Sequence, residues 1–150
     1  MTTEAPAGTL LAICPSCRAT NRVVRDKVGL GPTCGSCKQA LFPKAPFDLT
    51  AATFDKHVAG EVPVIVDCWA AWCGPCRMMA PAYDEAAARV PPGVHLAKLD
   101  TEAEQAIAAR LGIRSIPTLI AFRNGKEIAR QSGALNLPQL MQWIGTHVAD

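Results

Sequence analysis

Six of the seven cysteines in this chain fall into three Cys-x-x-Cys pairs, and that grouping limits its possible folds more than any other feature. Cys14-Pro15-Ser16-Cys17 and Cys34-Gly35-Ser36-Cys37 are separated by sixteen residues, while Cys73-Gly74-Pro75-Cys76 stands alone much later. In a secreted chain such pairs would suggest a disulfide framework. Here the start, Met-Thr-Thr-Glu-Ala-Pro, is acidic, and the apolar stretch at residues 10–13 is too short for a signal-peptide core. No apolar run approaches the ~20 residues that span a bilayer. The expected address is therefore the cytoplasm, where paired cysteines mean metal binding or redox chemistry.

The first two pairs have the spacing of a zinc ribbon. Each short turn aims two sulfurs at one point, and two turns complete a tetrahedron with no open position. Cys14, Cys17, Cys34 and Cys37 are thus predicted to hold one structural Zn2+, although iron is chemically allowed. Val23, Val24, Val28 and Leu30 are too few to build a core, so residues 1–42 need metal as a staple. The competing reading, two further redox pairs, is disfavoured because neither pair follows a buried strand or opens a helix. Two prolines at residues 43–46 mark a short stiff linker.

Charge agrees with a metal centre. Through residue 40 there are five basic and two acidic side chains, a balance of +3; the remainder holds ten and eleven, giving −1. Four thiolates on one Zn2+ add −2 to the first part and leave it near +1. A nucleic-acid or anionic-membrane surface would need a more concentrated basic stripe.

From residue 47 the pattern becomes alternating strand and helix. Residues 47–49 read as a short strand, and Thr50 is placed to cap a helix over 51–58. Residues 63–69 form a near-continuous apolar run, expected of a strand buried on both faces. A long helix follows over 73–90 with Pro81 inside it, then a strand over 94–99. Thr101-Glu102-Ala103-Glu104 reads as a capping box for a helix to Leu111, with Gly112 past its end. Residues 118–122 and 127–131 flank Asn124-Gly125, a type I′ hairpin signal. Asn136 with Gln139 opens a last helix to Val148. The predicted architecture is α/β: a central mixed five-stranded sheet flanked by four helices, preceded by the ribbon. The predicted units are residues 1–42, a linker at 43–46, and 47–150.

Cys73 and Cys76 lie where the buried strand gives way to the long helix. Unpaired N–H groups at a helix N-terminus favour an anion, so a thiol there ionises readily. Cys73, at the tip, is expected to face solvent and act as nucleophile; Cys76 shares its face within disulfide reach. Such a pair can attack a disulfide, form a mixed disulfide and resolve it internally. Pro75 removes a donor that would go unpaired in the first turn. The bland alternative, half a zinc site, lacks two further ligands. Asp67 is the lone charge in the apolar strand, and burial should raise its pKa toward that of a proton acceptor. Cys68 reads as an inert small hydrophobe.

Residues 66–76, Val-Asp-Cys-Trp-Ala-Ala-Trp-Cys-Gly-Pro-Cys, resemble the active-site segment of the thioredoxin family. So do Pro81, Ala97-Lys98-Leu99-Asp100, the run from Gly112 to Thr118, Asn124-Gly125 and Gly133. The resemblance covers residues 47–150 and implies a thioredoxin fold; Cys68 departs from it, since the family usually has an aromatic residue there. With the four-cysteine ribbon in front, the whole chain is similar to the zinc-containing thioredoxin 2 group of the family. The resemblance implies disulfide reduction by Cys73 and Cys76, with Asp67 accepting a proton from Cys76. It implies a substrate surface of Trp72, Gly74, Pro75, Ile116 and a cis Pro117, with Lys98 near Asp67. It further implies re-reduction by an NADPH-dependent thioredoxin reductase, protein disulfides as substrates, zinc without an organic cofactor, and a monomer. The rival class is a redox-switched chaperone whose ribbon loses zinc on oxidation. A disulfide donor or isomerase is less favoured, because Gly-Pro supplies no histidine to stabilise the thiolate.

Overall fold

The computed structural model describes residues 8–148. The acidic start at residues 1–6, used above for the expected address, lies outside them. Two strands, β1 (Thr9–Ile13) and β2 (Thr20–Val24), pair antiparallel in the ribbon, and a 3-10 turn follows at Arg25–Leu30. The larger sheet contains β3 (Phe47–Asp48), β4 (Val64–Trp69), β5 (His95–Asp100), β6 (Thr118–Arg123) and β7 (Lys126–Ser132). Its order is β3-β5-β4-β6-β7: β5 runs parallel to β3 and β4, while β6 is antiparallel to β4 and β7. The helices are α1 (Phe54–Val58), α2 (Gly74–Arg89), α3 (Gln105–Arg110) and α4 (Leu137–Val148). Among the described residues, no helix is long and apolar enough to cross a membrane.

Strand alternation divides the core into two layers. Val64, Val66 and Cys68 of β4 face one layer with Leu49, Phe54, Ala97, Leu99, Ile107 and Ile120. Ile65 faces the other, with Met79 and Tyr83 of α2, Leu96, Leu119, and Leu140 and Ile144 of α4. The fully buried Tyr83 hydroxyl donates to the Ile65 and Ala97 carbonyls at 3.0 and 2.8 Å, so this polar group ties α2 to the sheet without going unpaired. Asp67 has the parity of Ile65 and therefore lies on the α2 side, whereas Cys68 lies on the other.

Two helix starts differ from the expectation. The first helix begins at Phe54, not residue 51, because residues 50–53 form a turn in which Thr50 N donates to Thr53 Oγ1 at 2.9 Å. α3 begins at Gln105, since Asp100 Oδ1 accepts from Glu102 and Ala103 N–H and holds residues 101–104 in turns. Glu104, read as a capping residue, instead accepts from Ala51 N–H at 2.6 Å and ties that turn to α1's. The Asn124-Gly125 hairpin forms as predicted, with φ of 55° and 79° at its two turn residues.

The ribbon does not hang free on its linker. Leu41 is 1 % exposed and clusters with Leu10, Ala12, Cys14, Val23, Cys34 and Val62. Its carbonyl lies 2.7 Å from Nε2 of the buried His95, whose ring packs between Phe42 and Phe47. Leu11 N–H donates to Glu61 Oε1 at 2.7 Å. Ile13 stands so close to Gly60 that an added Cβ there would meet it at 3.2 Å. These contacts lie just before β4 and at the start of β5, the end of the sheet from which both strands run toward Cys73.

Candidate functional site

Cys73 is the N-cap of α2, with an extended backbone, and Cys76 completes the first turn. The two are disulfide-bonded, with Cα atoms 5.3 Å apart. Cys76 N–H donates to Cys73 Sγ at 3.2 Å, so an unpaired donor of the helix start points at that sulfur. The 16-residue helix adds its positive end, and together these favour a thiolate on Cys73 once the bond is reduced.

Exposure differs from the expectation. Cys73 is only 4 % exposed, because Ala70, Trp69, Ile116 and Cys76 pack around it. Access runs instead through a hollow of 490 Å3, lined by Trp72, Cys73, Gly74 and Pro75 on one side and Ile113, Arg114, Ser115 and Ile116 on the other. Cys76 does not line this hollow. The Ile116 carbonyl lies 3.8 Å from Cys73 Sγ, and the Ile116–Pro117 bond is cis. Pro117 itself is buried, its carbonyl accepting from Gly133 N–H at 2.9 Å, while Thr118 Oγ1 donates to Ser115 O at 2.7 Å and fixes the loop. Trp72 is 66 % exposed and donates from Nε1 to Glu102 Oε1 at 2.8 Å. The sequence assigned Glu102 to a helix start; its link to Trp72 spans thirty residues and leaves no periodic trace.

Asp67 is 1 % exposed, and neither carboxylate oxygen has a hydrogen-bond partner among the described residues. Burial raises its pKa to about 7, with Asp84 adding to the rise and Lys98 opposing it. Lys98 is the β5 register partner of Asp67, and its Nζ sits 4.8 Å from the centroid of the Trp69 ring. Cys68 faces the layer away from the dithiol; burial pushes its thiol up to about 12.

In the ribbon, Cys14, Cys17, Cys34 and Cys37 bring their sulfurs within 4.8 Å of one another. Cys14–Cys37 and Cys17–Cys34 each stand at 3.6 Å. Tetrahedral Zn–S bonds of about 2.3 Å require S···S distances of about 3.8 Å, so the donor set fits zinc. The two knuckles are built alike. Arg18 N–H donates to Cys14 O and Lys38 N–H to Cys34 O, with φ of 67° and 69° at the two basic residues. Ser16 and Ser36 N–H donate to Cys14 and Cys34 Sγ at 3.3 and 3.4 Å. Asn21, which the sequence did not single out, holds the second knuckle by accepting from Gly35 N–H and donating to Cys34 Sγ, and it also donates to the Ala19 carbonyl beside the first. Such donors orient and partly neutralise thiolate ligands.

Comparison with known proteins follows the same division. Residues 45–146 match the family model described as Thioredoxin, and residues 13–39 match that described as Thioredoxin 2, N-terminal. Thioredoxin C-3 of Corynebacterium nephridii is 43 % identical over 136 residues, covering 90 % of this chain and 93 % of its own length. A thioredoxin of Haemophilus influenzae is also 43 % identical, over 61 % of this chain and 85 % of that one. Among solved structures, a thioredoxin variant of Halobacterium salinarum superposes with a TM-score of 0.65 at 28 % identity, covering 72 % of this chain and 95 % of that chain. The dithiol at the start of α2, the four-sulfur cluster and these matches agree, and the chain belongs to the thioredoxin family of thiol–disulfide oxidoreductases, with a zinc ribbon before its thioredoxin domain.

Proposed function

We propose that the chain reduces protein disulfides through Cys73 and Cys76, with Cys73 as the attacking group. The observation that carries this reading is that Cys73 opens into the hollow and Cys76 does not. In the reduced state the Cys73 thiolate attacks one sulfur of a substrate disulfide. The S–S bond breaks, the second substrate sulfur leaves as a thiolate and takes a proton from water, and Cys73 is held in a mixed disulfide. Asp67 accepts the proton of the Cys76 thiol, and the Cys76 thiolate attacks Cys73 Sγ. The first substrate sulfur departs as a thiolate and takes up the proton that Asp67 accepted, so Asp67 is again ionised. The substrate has gained two electrons and two protons, and the chain holds the Cys73–Cys76 disulfide. Trp72, Gly74, Pro75 and Ile116 form the surface for an extended substrate segment, with the buried cis Pro117 behind it setting the turn and the backbone at Ile116 available for strand-like pairing.

An NADPH-dependent thioredoxin reductase returns the dithiol in this reading, and the protein acts as a cytoplasmic monomer without nucleic acid, membrane or organic cofactor. Cys14, Cys17, Cys34 and Cys37 hold one structural Zn2+ per chain, which strong oxidants would release by consuming its thiolates. Residues 1–42 form the ribbon, 43–46 the linker and 47–150 the reductase domain.

Cys73→Ser is expected to abolish insulin-disulfide reduction, and Cys76→Ser to accumulate a mixed disulfide on non-reducing gels. Capture of substrate by Cys76 in the Cys73→Ser protein would reverse the two roles. Asp67→Asn should slow resolution more than attack in stopped-flow traces at pH 7. Because Asp67 accepts a proton only when ionised, resolution in the unaltered protein should rise with pH through about 7, and that inflection should be absent in Asp67→Asn. Equal slowing of both steps would mean a structural defect instead.

A further inference from the structure

Arg114 is the one charged residue lining the hollow at Cys73; every other lining residue is apolar or neutral. It is exposed, and no hydrogen bond or ion pair engages its guanidinium among the described residues. The neighbouring acids are already committed. Glu102 Oε1 accepts from the Trp72 indole, and Asp100 Oδ1 from two backbone N–H groups. Arg77, on the first turns of α2, donates to the Ala71 carbonyl at 3.0 Å. Arg114 therefore presents the one charged group on the lining of the hollow, and its fork of donors is unengaged among the described residues. A space of 490 Å3 is roughly 8 Å across, which is between two and three residues of extended chain at ~3.3 Å each.

Resting on the reductase reading above, we infer that Arg114 is a specificity-determining residue that selects disulfides whose attacked cysteine has a carboxylate side chain two residues away, on the same face of the extended segment. An extended segment laid against Ile116, with its cysteine sulfur at Cys73, brings a side chain at that separation to the Arg114 wall. Guanidinium and carboxylate match as a two-pronged pair, which a neutral amide does only in part. The pair forms at a partly open surface, so it tunes selection instead of dictating it.

The test uses the full chain with bound zinc, recycled by dithiothreitol so that no reductase docking enters. Three otherwise identical peptide disulfides carry Glu, Gln or Lys two residues from the attacked cysteine. The expected preference in kcat/KM for Glu over Lys is about fivefold, equivalent to about 1 kcal/mol, and it should shrink in 0.5 M salt. Arg114→Gln should bring the ratio close to one, Arg114→Glu should invert it, and Arg114→Lys should restore part of it. A ratio near one in the unaltered protein, or a ratio that survives Arg114→Gln, overturns the inference. So does equal slowing of all three peptides in Arg114→Gln, since that is a structural effect. Failure of the unaltered protein to reduce even the Gln peptide would instead sink the reductase reading.

Discussion

Asp67 is held in an environment that disfavours its own charge, and the consequence reaches stability as well as chemistry. Its pKa moves from 3.8 to about 7 on folding, so between those values the folded chain binds more protons than the unfolded one. The stability this gives is fully present below pH 4 and is lost as pH rises through 7. Three pKa units correspond to roughly 4 kcal/mol. Asp67→Asn should therefore raise Tm clearly at pH 8, and the gain should fall to about a third of that at pH 5, where the native carboxyl is already neutral. Calorimetry at the two pH values checks it; an equal gain at both would mean the carboxylate is not desolvated. This residue was legible in the sequence because one charge interrupts an apolar strand. The burial of Cys73 was not, since Ile116 covers it from a loop forty-three residues away. Cys68 shows how parity alone can separate two neighbours: one position along β4 from Asp67, it points into the opposite core layer.

At the scale of elements, two capping signals of the same form had different fates. Asn136 and Gln139 form the reciprocal pair, each side chain accepting from the other's backbone N–H at 2.9 Å, and α4 starts where predicted. Thr101 and Glu104 do not, because Thr101 Oγ1 donates to Trp69 O while Glu104 binds Ala51 N–H. Thr101 is thus drawn to the end of β4, and tertiary partners override the local box. Asn136→Ala should cost about 1 kcal/mol, seen as a lower denaturant midpoint with unchanged slope. The strand order needed little beyond pattern. A buried apolar run, three intervening helices and an Asn-Gly hairpin leave few ways to build the sheet, and the parallel β4–β5 pair follows from the crossover helix between them. What pattern could not give was the fit of the ribbon, whose contacts are made by side chains without periodic placement, such as Ile13 against Gly60.

On the scale of the whole molecule, the metal cluster and the dithiol occupy opposite ends of the sheet. β4 alone, six residues long, separates Val62 from the Cys73 turn by about 20 Å at ~3.3 Å per residue. The ribbon contacts made through Leu11, Ile13 and Leu41 lie at the end of the sheet away from the dithiol, not beside Cys73. Zinc matters to that docking surface. Leu41 stands four residues beyond Cys37, and burial holds His95 neutral with a pKa of about 4 despite the Leu41 carbonyl's opposing pull. Removing zinc should loosen the second knuckle, undock Leu41 and Phe42, and move the His95 titration up toward 6.5, read by NMR of the imidazole with and without chelator. An unmoved titration would mean that the ribbon stays docked without metal. A depressed histidine also carries a sign. The folded chain binds fewer protons than the unfolded one between pH 6.5 and 4, so stability is lost as pH falls through that window. The polarity of the molecule has a practical side too. A resin or electrode linked to the exposed Lys27 or Lys38 would grip the chain by its four-sulfur foot, and leave the hollow at Cys73 turned toward whatever flows past.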